Sequence, residues 1–130
     1  LKACSTGPHC HWHVDYGARG TAETLQALRR HQRVDPLATP GLADLTCHVN
    51  FDALVDAYGP QWQPQVLDLS QFLHQHGFAT RAAQTLRHAL PDQLEQQAAN
   101  AARLLDPRQM GALMKVCIAQ RVAQSPQPTV

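Results

Sequence analysis

A chain of 130 residues, 44% hydrophobic and 16% charged, has the composition of one globular domain with a real core and not that of a disordered chain. Its formal net charge of +1 gives no electrostatic reason to expect nucleic acid or an anionic membrane as partner. No apolar run approaches the roughly 20 residues of a membrane span, and the cysteines at 4, 10, 47 and 117 lack C-x-x-C spacing, which fits reduced thiols in a bacterial cytoplasm.

Leu1 is not an initiator methionine and no element begins cleanly in the first residues, so a fragment is expected. Cys4, His9, Cys10, His11 and His13 are residue types that zinc and copper favour. Adjacent side chains do not easily converge on one ion, however, and no second spaced pair follows, so no metal site is expected. His11–Gly17, HWHVDYG, alternates apolar and polar residues and reads as a strand over about 11–15 that ends in an acid and a glycine. The run D-Y-G-A-R-G then has the outline of a nucleotide-binding turn, provided a helix follows. The other reading makes Asp15–Gly17 a strand end bordering a cleft, where ligands of open α/β sheets gather. Thr21 is a plausible N-cap for a helix running to about Gln32, with Leu25 and Leu28 buried and Arg29, Arg30 and Arg33 facing water or an acidic partner.

Asp35–Phe51, DPLATPGLADLTCHVNF, cannot be one helix, because Pro36 and Pro40 forbid it and Gly41 offers a turn. Asp44, Thr46, His48 and Asn50 recur at every second position, which in an extended segment puts four polar side chains on one face. Two readings fit: a turn-rich loop that pins a strand edge and then caps a helix, or a polar wall of a binding cleft. Asn50 caps a helix with the stripe Phe51, Leu54, Val55 and Tyr58, ended by Gly59–Pro60. Gln65–Leu69 reads as a strand, Ser70 as the cap of a short helix, and Gly77 as its stop. Helices follow over Thr80–Leu90 and Asp92–Leu105, then an Asp106–Pro107 helical turn that ends at Met110–Gly111. Leu113–Ala119, LMKVCIA, is β-branched, apolar and of strand length, with Cys117 as a core thiol. The proline-rich end is expected to fray, which gives a partial domain over 1–119 and a tail over 120–130.

PLATPGLADLTCHVNF resembles the signature run of the MidA-type family of S-adenosylmethionine-dependent methyltransferases. DYG at 15–17, GT at 20–21, TLQALRRH at 24–31, FL at 72–73, GF…R at 77–81 and MGALMKV at 110–116 follow in family order, so the resemblance covers about residues 14–118. It implies an α/β fold, the C-terminal half of a Rossmann-like methyltransferase sheet with packed helices, its last strand inserted antiparallel between earlier ones. It also implies S-adenosyl-L-methionine as cofactor, bound mainly by a loop upstream of this chain, so that the fragment alone is inactive. The mitochondrial members imply a protein substrate, an arginine of a respiratory complex I subunit. Asn50, Cys47, Ala18, Asp68–Leu69 and Met114 depart from the family pattern, which has aspartate, alanine, histidine, threonine–glutamine and phenylalanine there.

On this reading Asp15, Asp44 and His48 are the candidate catalytic residues that orient a guanidinium. Tyr16, Gly17, His31, Thr46 and Asn50 are the substrate-binding candidates, and a homodimer is compatible with the sheet edge. A strand-alternating-with-helix pattern supports the same α/β class independently. The competing functions are a non-catalytic protein-interaction module built on residues 70–105 and a nucleotide-binding domain that uses Asp15–Gly20.

Overall fold

The computed structural model describes residues 9–20 and 23–121. In chain order these form β1 (Cys10–Ala18), β2 (Gln26–Arg29), β3 (Gln32–Val34), β4 (Asp44–Thr46), β5 (Val49–Asn50), α1 (Phe51–Asp56), β6 (Trp62–Asp68), α2 (Leu69–Gln75), α3 (Phe78–Arg87), α4 (Pro91–Leu105), α5 (Met110–Leu113) and β7 (Met114–Arg121). The strands divide between two sheets. One has the order β5-β1-β7-β6, the other the order β3-β2-β4.

The last strand is the spine of the larger sheet. β7 lies between β1 and β6 and is antiparallel to both, so β1 and β6 run parallel to each other. A strand flanked on both sides is apolar on both faces, and Val116, Cys117 and Ala119 are fully buried. Burial also pushes the Cys117 thiol pKa up, as befits a core thiol. β6 begins at Trp62, three residues before the strand expected from the sequence, because Pro64 is tolerated on an edge strand. β5 pairs parallel with only Gly17 and Ala18. Along Cys10–Tyr16 the outer edge of β1 is therefore unpaired among the described residues, and Trp12, Val14 and Tyr16 are largely exposed.

Phe51 anchors the junction of β1 and α1. It is fully buried, and a Cβ built on Gly17 would sit 2.4 Å from its ring and 2.5 Å from the Val49 carbonyl. Only glycine admits that close approach. α1 starts where expected: the Asn50 Oδ1 accepts the N–H groups of Asp52 (3.1 Å) and Ala53 (3.0 Å). It ends at Asp56, earlier than the apolar stripe suggests, and Tyr58 lies beyond it in the following turn. Ser70 is not a cap but a buried residue inside α2; Asp68 is the N-cap, and its N–H is accepted by Gln71 Oε1 at 3.1 Å. Gly77, at φ 74°, ends α2 as expected and leads directly into α3. Pro91 opens α4 at its first turn. The Asp106–Gln109 turn forms, but the helical residues begin at Met110 instead of ending there. β7 runs two residues into the stretch expected to fray; residues 122–130 lie outside the described residues. Among the described residues no helix is long and apolar enough to cross a membrane.

The clearest correction concerns residues 23–34. In place of a helix the chain forms the β2–β3 hairpin, and β4 pairs on the other side of β2. Thr21, the expected cap, lies outside the described residues. Arg30 and His31 have φ of 52° and 63° and link Arg29 to its partner Gln32, a two-residue turn with both central residues left-handed. Asp44, Thr46, His48 and Asn50 accordingly do not share one strand. The run breaks at Cys47–His48 and passes from the small sheet into the large one.

Candidate active site at the carboxyl ends of β1 and β6

Parallel strands β1 and β6 end on the same side of the large sheet, and β7 begins there. The register aligns Asp15, Lys115 and Asp68 in one row across the three strands. Lys115 Nζ donates to Asp68 Oδ1 at 2.7 Å and also to the Ala112 carbonyl. The lysine side chain is 15% exposed and the aspartate 36%, so this is a partly shielded ion pair. Asp15 is exposed; its Oδ1 accepts the Tyr16 N–H at 2.7 Å, and it forms no ion pair among the described residues. Of the two carboxylates in the row, one is paired with Lys115 and the other forms no ion pair among the described residues.

The end of β1 is fixed by α1. Asp52 Oδ2 accepts the Gly20 N–H at 2.7 Å, and its Oδ1 meets Arg19 Nη1 at 3.4 Å. The exposed Arg19 pair contributes little, whereas the bond to the Gly20 backbone sets the path of the turn. His48 is half-buried beside this junction, its N–H donated to Thr24 Oγ1 at 2.9 Å.

The sequence candidates therefore fall into two groups. Asp15, Tyr16 and Gly17 lie at the end of β1, and the pairing of Gly17 with Val49 and of Ala18 with Asn50 brings His48 and Asn50 alongside. Asp44, Thr46 and His31 belong to the small sheet, with His31 at the hairpin tip beyond Asp44. Gly17 is buried under Phe51 and the Asn50 side chain caps α1, so both have structural employment. Asp68 and Lys115 are the members that sequence reasoning missed as site residues. The available signal was Lys115, the one charge in the otherwise apolar run Leu113–Ala119.

The histidine-rich start of β1 lies at the opposite end. His13 Nε2 is 2.7 Å and His11 Nδ1 3.3 Å from the Tyr58 hydroxyl, and the His11 ring stacks on Trp62 at 4.3 Å. Burial raises the Tyr58 pKa, with the charges that Cys117 and Cys10 carry when ionised adding to it. Trp12 Nε1 bonds Cys10 Sγ at 3.0 Å instead. Among the described residues no three His, Cys, Asp or Glu side chains are gathered as a metal would require.

The described residues do not build a cradle for S-adenosylmethionine. D-Y-G-A-R-G ends β1 and leads into residues 23–34 as a hairpin, so the helix that a nucleotide turn requires is replaced by strands among the described residues. At the N-terminus of α1 the Asp52 and Ala53 N–H groups are already taken by Asn50 Oδ1. What the sheet end offers is the exposed Asp15 carboxylate beside the Lys115–Asp68 ion pair.

A mixed sheet with its last strand antiparallel between parallel neighbours, helices packed upon it and a polar row at the strand ends is the C-terminal part of a Rossmann-like methyltransferase fold. A family described as "putative S-adenosyl-L-methionine-dependent methyltransferase" matches residues 2–68. The chain belongs to this family, the MidA type. It is 34% identical over 112 residues to the mitochondrial protein arginine methyltransferase NDUFAF7 homolog of Drosophila melanogaster, covering 78% of this chain and 24% of that protein. To the Caenorhabditis elegans homolog it is 43% identical over 63 residues, 42% of this chain and 15% of that one. It superposes on the native crystal structure of an uncharacterised Burkholderia thailandensis protein with a TM-score of 0.72 at 25% identity, over 89% of this chain and 34% of the other. A second structure from that organism, bound to S-adenosyl-homocysteine, gives a TM-score of 0.62 at 28% identity over 89% and 33%. The chain thus spans a quarter or less of these curated relatives and about a third of the solved chains.

Proposed function

We infer that this chain supplies the acceptor side of an S-adenosylmethionine-dependent protein methyltransferase, with an arginine guanidinium as the methyl acceptor. The observation that carries this reading is the free Asp15 carboxylate beside the Lys115–Asp68 pair, at the strand ends of a fold whose relative binds S-adenosyl-homocysteine. A carboxylate bonds a guanidinium through two parallel N–H groups and fixes the plane of the nitrogen that reacts. Tyr16 and His48 are supporting polar groups at the same end, and Asp44, Thr46 and His31 act from the small sheet. The cofactor cradle belongs to the remainder of the family fold. That the Drosophila homolog is a protein arginine methyltransferase supports arginine as the acceptor, and the family resemblance supports a respiratory complex subunit as the protein that carries it.

Calorimetry of S-adenosylmethionine on this chain, and on a form lengthened N-terminally to the size of the Burkholderia proteins, tests the reading. Binding by the lengthened form alone, with labelled methyl passed to an arginine peptide and lost in Asp15→Asn while cofactor binding persists, is the expected result. Tight binding by the 130 residues would overturn the division of labour. A lengthened form that binds cofactor and methylates nothing, or that does not bind at all, leaves an interaction module.

A further inference from the structure

We propose that Asp68 is a positioning residue: it draws the Lys115 ammonium away from Asp15 and so leaves that carboxylate open to a cationic methyl acceptor. The inference rests on the reading of the strand ends as the acceptor side, and it names what keeps that side open. Directly opposed residues of antiparallel strands present their side chains on the same face of the sheet. Lys115 is opposed by Asp15 on β1 and by Asp68 on β6, so one cation stands between two carboxylates on one face.

The lysine is held on one side only. Its Nζ lies 2.7 Å from Asp68 Oδ1 and also donates to the Ala112 carbonyl. Asp15 forms no ion pair among the described residues, and its Oδ1 accepts the Tyr16 N–H at 2.7 Å. The row therefore holds two negative charges and one positive, and the pairing with Asp68 leaves the uncompensated charge on Asp15. Asp15 is also the exposed member, whereas the Lys115 side chain is 15% exposed.

Without the Asp68 charge the balance inverts. The Ala112 carbonyl is a neutral acceptor, and Asp15 is then the one carboxylate left in the row. An ammonium on a flexible four-carbon stem follows the charge to the residue directly opposite. Lys115 seated on Asp15 would neutralise it and would meet an incoming guanidinium as a like charge. Asp68 touches no substrate in this scheme, and it acts through Lys115.

Two measurements on the N-terminally lengthened form test the proposal. The first is a stability cycle, with Asp15→Asn made in the parent and in Asp68→Asn and unfolding constants compared in denaturant. Asp15→Asn is expected to change the constant by less than about twofold in the parent and by about threefold or more in Asp68→Asn, where Asp15 has gained the lysine. An equal change in both backgrounds would overturn the proposal. The second is methyl transfer to an arginine peptide. Asp68→Asn should raise KM about fivefold or more while S-adenosylmethionine affinity holds. Asp68→Asn/Lys115→Met, which removes the displaced cation, should recover most of that loss; a residue needed only for folding would not be rescued by deleting its partner. An unchanged KM in Asp68→Asn, or a double variant no better than it, would also overturn the proposal. A parent that methylates no arginine peptide removes the reading on which the proposal rests, and the stability cycle separates that failure from a lysine that never moves.

Discussion

The two sheets of this molecule are held by different physics. The large sheet is organised around β7, paired on both sides and buried at Val116, Cys117 and Ala119, with Phe51 packed against Gly17. The small sheet is a backbone ladder. Ala27 is its one fully buried side chain, while Leu45 on the neighbouring strand is 61% exposed. The large sheet positions the Asp15–Lys115–Asp68 row through register. The small sheet depends on turn geometry, and it carries its chemistry outward.

The largest expected difference is in core truncation. Phe51→Ala removes a fully buried ring and should destabilise the chain by about 4 kcal/mol, while Leu45→Ala should change it by less than about 0.5 kcal/mol. Denaturant melts followed by circular dichroism read both. Similar effects at the two positions would mean the small sheet has a core of its own. Next in size is the ion pair. Lys115→Met leaves Asp68 partly shielded without its cation and should cost about 2 kcal/mol. Asp15→Asn, an exposed site in the same row, should be nearly neutral for stability in the same melts. That separation distinguishes a residue that holds the sheet end from one that is free to hold a ligand.

The same contrast decides what was legible in the sequence. The β7 strand, the Asn50 cap, the Gly77 stop and the two long helices carry local signals, and each stands within a few residues of its expected place. The hairpin does not. Leu25 and Leu28 lie three apart, a spacing that a helix and a hairpin share, and Arg-Arg-His-Gln contains none of the glycine or asparagine that usually marks a tight two-residue turn. The break at Cys47–His48 was equally silent, because an alternating polar pattern does not say which sheet each half joins. For the site, Asp15 was legible from its position before a glycine at a strand end. Its row-mates were not, since Asp68 and Lys115 are 47 residues apart and meet only through the register of β6 and β7.

The turn gives the next expected effect. His31→Gly places glycine at φ 63° and should stabilise the chain by about 1 kcal/mol. The gain should appear as slower amide exchange in β2 and β3 and leave the exchange of β7 unchanged. A gain distributed over the whole chain would show that the two sheets unfold together.

The smallest effect belongs to the large body and concerns acid. Arg108 hydrogen-bonds the Asp106 carboxylate through side chain and backbone, Gln109 adds a further donor, and together they hold its pKa at about 2, below the ordinary 3.8. A carboxyl whose folded pKa is depressed contributes stability above its unfolded pKa and loses that contribution as pH falls towards the folded one. The window for Asp106 therefore lies between about pH 3.8 and 2. Because the carboxylate closes the turn between α4 and α5, where Gly111 packs against the Asp106 carbonyl, amide exchange should quicken there first as the pH drops through that window. A carbon-detected titration should find the Asp106 midpoint near about 2, and Arg108→Ala should bring it back towards the ordinary value. If the midpoint does not move in that variant, the guanidinium is not what holds the carboxylate. The turn would then rest on the backbone bonds from Gln109 and Gly111 to the Asp106 carbonyl alone.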